Sequence, residues 1–173
     1  CTEAAAWPAE LSVAVNVSAL QFERSDIEAD VREALSSSGL PSSRLCLELT
    51  ESTFLDQGGP SIAKIGALRE TGVMIALDDF GTGYASLANL RQFPIDRLKI
   101  DKSFVQNTED EAIVKAVITL GTSMGMKVVA EGVEDAAQLK ALEHYGCDQV
   151  QGYHFGRPMP AAAVAGFLEG FTI

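Results

Sequence analysis

Six short runs of apolar, largely β-branched residues alternate with longer stretches of helical periodicity along this chain. That alternation limits its fold more than any other feature. The runs cover residues 12–18, 44–51, 73–80, 97–101, 127–132 and 149–155. Helical spacing covers 26–38, 61–71, 84–92, 109–124, 135–145 and 161–171, and residues 1–6 read as a helix already under way. Runs such as VMIALDD and KVVAEG are apolar on both faces, as strands between two helical layers must be. Strand and helix in strict alternation predict right-handed βαβ units and a parallel sheet. Gly39, Gly72, Gly125 and Gly146 each follow a helical stretch, where a left-handed glycine closes a helix. Asp26 and Ser61 stand where a side-chain oxygen can cap a helix start. The segment LDQGGPS (55–61) reads as a local turn, so residues 1–173 are expected to form one domain.

Six units suit either a complete open sheet or part of a closed barrel, which needs eight. The placement of polar residues separates the two. Asn16, Glu48, the pair Asp78 and Asp79, Lys99 and Asp101, Glu131 and Gln151 each fall late in a strand-like run. A buried parallel strand has no structural use for a terminal charge, and burying one alone is costly. A cap or a solvated edge explains any single case, but parallel strands bring all their C-terminal ends to one rim of a barrel. An open sheet concentrates function at the crevice where strand order reverses. The reading is a TIM-like (β/α) barrel with six of eight βα units present.

Gathered on one rim, these residues make an oxygen-rich set suited to Mg²⁺ or Mn²⁺ more than to zinc. Two ionised neighbours, Asp78 and Asp79, would repel each other in a dry pocket, and a pair of cations relieves that. Such a pair suits attack of water on a phosphodiester, with Glu131 as base or water-orienting group and Lys99 holding the water or a non-bridging oxygen. A barrel lysine also suggests Schiff-base chemistry, but acidic neighbours stabilise the ammonium that such chemistry must lose. A structural salt bridge from Lys99 to Asp101 or another rim acid fits either reading. His144 and His154 have no ligand partner at helical spacing and read as packing or surface residues.

The formal net charge of −11 argues against a protein that coats polymeric nucleic acid, which gains affinity through clustered Lys and Arg. No run of about 18 apolar residues offers a membrane span. Cys1, Cys46 and Cys147 share no metal-type spacing and read as reduced thiols, so a cytoplasmic setting is expected.

The motifs VNVS (15–18), ELTES (48–52), DDFGTGYASL (78–87), LKID (98–101), AEGVE (130–134) and QGYHFGRP (151–158) occur in the order found in EAL-domain proteins, and the chain resembles that family along essentially its whole length. The resemblance implies a TIM-like barrel that hydrolyses cyclic-di-GMP to linear pGpG with Mg²⁺ or Mn²⁺, in bacterial signalling. It makes Asn16, Glu48 and Asp78 metal ligands, with Asp79 serving a second metal. Lys99 would contact the catalytic water, and Glu131 would act as general base or metal-site carboxylate. Gln151 would help hold the site, with Asp101 and Glu134 supporting it from behind. Glu51 resembles the glutamate that anchors the loop after the acidic pair. The helix after that loop, around 84–92, implies a homodimer, and the family's habit implies fused sensor or cyclase domains. Ala85 stands where serine is commoner.

The family's namesake Glu-Ala-Leu with its following arginine does not occur. Glu33, Ala34 and Leu35 spell the letters inside a helical stretch, without strand or arginine. The true motif is therefore expected upstream, with two strands and one metal ligand, and this chain alone is expected to be poorly active. The alternative is a non-catalytic module that binds cyclic-di-GMP or a partner.

Overall fold

A computed structural model describes residues 1–51, 53, 59–81 and 90–170 of the chain. Its strands are β1 (Val13–Val17), β2 (Leu45–Thr50), β3 (Met74–Phe80), β4 (Arg97–Ile100), β5 (Lys127–Ala130) and β6 (Gln149–Val150). Every neighbouring pair is parallel and the order is β1-β2-β3-β4-β5-β6. Sequential order has no reversal point, so it fits a barrel wall and not a doubly wound sheet. The sheet curls as a half-barrel. Among the described residues β1 pairs only with β2, and β6 only with β5.

The described helices are α1 (Thr2–Ala5), α2 (Ala19–Arg24), α3 (Ile27–Ser38), α4 (Gly59–Glu70), α5 (Lys102–Gln106), α6 (Glu111–Ser123), α7 (Ala136–His144) and α8 (Ala161–Leu168). They pack by spaced apolar faces. In α6, Val114, Val117, Ile118 and Gly121 are buried, the spacing of one helical face. They meet a core that includes Leu47, Leu49, Ile75, Leu77, Leu98, Ile100 and Val128. No helix among the described residues is long and apolar enough to cross a membrane.

Most predicted boundaries agree within two residues, and the four helix-closing glycines all adopt positive φ. Asp26 caps α3, accepting the Ala29 amide at 3.2 Å. Ser61 does not cap α4. That helix starts at Gly59 and leaves Ser61 buried in its first turn. The sixth run is a strand only at Gln149–Val150, not across 149–155. At Gly152 the backbone passes close to Val133, where a Cβ would lie 2.1 Å from the Val133 oxygen, and the chain turns there. The helix predicted over 84–92 lies largely in 82–89, outside the described residues. Helix α2 was not expected, although Ser18 and Gln21 form a capping box at its start. Glu33, Ala34 and Leu35 lie within α3, as their helical context predicts. Cys46 is buried and Cys1 and Cys147 are partly so, all as free thiols.

Candidate active site

Three adjacent strands and the residue that follows a fourth each project one charged side chain to a single point inside the curl. Lys99, from β4, places its Nζ 2.8 Å from Glu48 Oε1 of β2 and 2.8 Å from Asp78 Oδ1 of β3. It also lies 2.6 Å from Oε1 of Glu131, just beyond β5. Parallel register explains the convergence. Glu48 is paired with Ala76 and Asn16 with Glu48, so the alternate positions Ala76 and Asp78 follow Glu48 on the inner face. Lys99 is 3% exposed, and Glu48 and Asp78 are 8% exposed each. An ammonium has three donors, and here each meets a carboxylate.

Asp78 and Asp79 are adjacent, and a regular strand would point them to opposite faces. A bulge prevents this. Between Leu77 and Phe80 β3 advances three residues while β4 advances two, from Leu98 to Ile100. Asp79 takes φ +56° within it, the one non-glycine in left-handed conformation among the described residues. Asp and Asn tolerate that region better than other side chains. The result brings one oxygen each of Asp78, Asp79 and Glu131 within 4.8 Å of one another.

Asp79, Glu131 and Lys99 all hold a proton more tightly than usual. Burial pushes the Asp79 carboxyl above its usual range, Asp78 and Asp101 push it further, and Lys99 opposes them. Burial also raises Glu131, against the pull of the Lys99 ammonium. For Lys99, burial favours the neutral amine, but bonds to Asp78, Glu131 and Glu48 overrule it and hold the proton firmly. A Schiff-base lysine needs the opposite bias, so the aldolase-type alternative loses its physical basis.

The other predicted residues sit around this centre. Asn16 is exposed on β1 beside Glu48 in register. Gln151 follows β6, with its amide on the Ala130 carbonyl at 2.8 Å. Asp101 does not pair with Lys99. It caps α5 through the Ser103 amide at 2.9 Å and shares a hydrogen bond with Asp79. Burial works to raise Asp101, but its bonds from Ser103 outweigh that and lower it. Glu134 is held by Gln106, whose Nε2 donates to its Oε1 at 2.9 Å. No sequence signal pointed to Gln106, because α5 is too short to show periodicity. Glu51 is buried directly after β2, while residues 82–89, which it is expected to anchor, lie outside the described residues. His144 ends α7, and the His154 ring packs edge-on against Phe155 at 5.2 Å.

Below the centre lies a cavity of about 340 Å³, lined by Ala14, Glu48, Ala76, Arg97, Lys99 and Gln149 among others. A parallel half-barrel with this cluster at its strand ends defines a barrel site built from hard oxygen donors, the kind that suits a divalent cation. A model of the EAL domain matches residues 1–158, and the chain belongs to the EAL domain family. The bifunctional diguanylate cyclase/cyclic di-GMP phosphodiesterase MucR of Pseudomonas aeruginosa is 45% identical over 157 residues, covering 88% of this chain and 23% of that protein. The cyclic di-GMP phosphodiesterase NbdA of the same organism is 43% identical over 165 residues, covering 93% of this chain and 21% of that one. The solved PaMucR phosphodiesterase in complex with c-di-GMP superimposes with a TM-score of 0.86 at 44% identity, covering 90% of this chain and 65% of that one. A manganese and cyclic-di-GMP complex of Klebsiella pneumoniae BlrP1 gives 0.78 at 30% identity, covering 85% and 39%. The chain spans about a fifth of the length of the curated relatives it matches.

Proposed function

We propose that this chain carries the catalytic residues of a divalent-metal-dependent phosphodiesterase that opens cyclic-di-GMP to linear pGpG. The observation that carries the reading is the meeting of Glu48, Asp78 and Glu131 on one buried ammonium, with Asp79 alongside. The donor set fits a hard dication, because Glu48, Asp78, Asp79 and Glu131 all offer carboxylate oxygens and the Asn16 amide lies beside Glu48 in register. Asn16, Glu48 and Asp78 would hold one Mg²⁺ or Mn²⁺, and Asp79 would serve a second. When bound, such ions lower the pKa of water and neutralise charge developing on the phosphate.

The chain's own residues supply the rest. Glu131 accepts a proton from the attacking water as oxygen bonds to phosphorus. The bond from phosphorus to the ribose 3′ oxygen breaks, and that oxygen leaves with a proton drawn from solvent. Lys99 donates to the attacking water or to a non-bridging phosphate oxygen. Gln151, Asp101 and Glu134 keep the surrounding loops in place, and Glu51 anchors the loop after Asp79. We read residues 1–173 as belonging to one EAL-type domain, in a homodimeric, multidomain cytoplasmic signalling protein.

The test is hydrolysis of cyclic-di-GMP by the protein with Mg²⁺ or Mn²⁺, followed by separation of the products. Linear pGpG should form, a chelator should abolish it, and Glu131→Gln should slow it on the order of 10²-fold or more. Binding without turnover under every metal condition would instead assign a non-catalytic cyclic-di-GMP module. Neither binding nor turnover would end the reading.

A further inference from the structure

Lys99 spends all three of its ammonium donors on Glu48, Asp78 and Glu131, at 2.8, 2.8 and 2.6 Å. Two of those carboxylates are the ones assigned above to a metal. We propose that Lys99 is a built-in stand-in cation, which holds the carboxylates together without metal and swings off Glu48 and Asp78 when a divalent ion takes them over. This rests on the reading of a divalent-metal site.

Three ionised carboxylates held within reach of one point in a buried site need a positive charge among them, and the Lys99 ammonium supplies it. Among the described residues Lys99 is the cation paired with them. Its ammonium and a dication attracted by the same oxygens repel each other strongly where water is scarce. Both cannot keep their full set of contacts, and the flexible four-carbon stem of lysine makes the ammonium the partner that moves. Glu131 Oε1, the nearest of the three, is the contact it retains. Leaving Glu48 and Asp78 frees two N–H donors. These are the donors that the attacking water or a phosphate oxygen needs. Without metal, Lys99 has none to offer. Metal loading and the readiness of Lys99 to meet substrate are therefore one event, and the lysine also sets the affinity that an ion must exceed to enter.

Two measurements on the protein test this without reading turnover. Calorimetric titration with Mn²⁺ should show Lys99→Met binding on the order of tenfold tighter than the wild type, as expected for two mutually exclusive occupants. In the wild type labelled with ¹⁵N-lysine, the Lys99 ammonium signal should shift and exchange faster with water as Mg²⁺ saturates the site. A folded Lys99→Met that binds Mn²⁺ no tighter, with an unmoved ammonium signal in the Mg²⁺-saturated wild type, overturns the exchange and leaves the metal site standing. Binding of Mn²⁺ by neither protein removes the metal site and this proposal together. Should Lys99→Met fail to fold, the wild-type signal decides, movement supporting the exchange and stillness overturning it.

Discussion

Asp79 is where chemistry and backbone conflict most. Its carboxyl belongs at the site, but its neighbour Asp78 already occupies the inward position of the strand, so the chain inserts a residue and accepts φ +56° to turn both inward. A left-handed conformation costs an ordinary L-residue roughly 1–2 kcal/mol, and glycine escapes that cost. Asp79→Gly should therefore raise the stability of the metal-free protein by about 1 kcal/mol in denaturant unfolding while weakening Mn²⁺ binding. A variant that is less stable without metal would show that contacts of the carboxyl, and not backbone strain, dominate there. Asp79 was legible in the sequence as a candidate, because an acidic pair ending an apolar run is unusual. The bulge that makes it usable was not, since a one-residue register shift leaves no mark in composition or periodicity.

At the scale of elements, one device occurs twice. Asp96, just before β4, accepts the Ile75 amide of β3 at 2.9 Å and the Arg69 guanidinium at 2.7 Å. Asp148, just before β6, accepts the Val128 amide of β5 at 2.9 Å and the Lys127 ammonium at 2.6 Å. Each aspartate ties the start of one strand to its neighbour and so fixes the register on which the inner row of carboxylates depends. The bond from Lys127, then that from Val128, holds the Asp148 carboxyl below its ordinary range. Its folded pKa is the lower one, so its contribution is present above the unfolded value and is lost as pH falls through the folded value. Asp148→Ala should destabilise by about 1 kcal/mol near neutral pH and speed amide exchange at Val128. That difference should fade in acid, and a variant gap unchanged down to the acid limb would argue against the clasp. Strand boundaries were readable from apolar runs, but these clasps join residues 20 or more positions apart and emerge only from tertiary pairing.

At the scale of the molecule, the described residues form a wall that is open at both edges. Among the described residues β1 and β6 each have one neighbour, and Val15 on β1 is 39% exposed. A groove of about 460 Å³ lies alongside, lined by Trp7, Leu11, Met159, Phe167 and others. Unpaired parallel edges with apolar residues beside them seek other strands. The 173-residue chain by itself should therefore show mass rising above monomer with concentration in light scattering. A monodisperse monomer across the range would mean that the edges are covered some other way.

Local spacing alone carries the alternation of strand and helix, the parallel sheet, and the choice of residues that place charge at strand ends. The chain also holds six motifs in family order. What tertiary structure decided is how those charges meet. Register brought Glu48, Asp78 and Glu131 onto Lys99 and gave Asp101 to a helix cap and to Asp79 instead of to the lysine. The sixth strand ends after two residues, just before Gly152 passes close to Val133 where only a glycine fits. The physical reason is that pattern reports which face a residue prefers, whereas distances between charges depend on pairing of strands far apart in the chain.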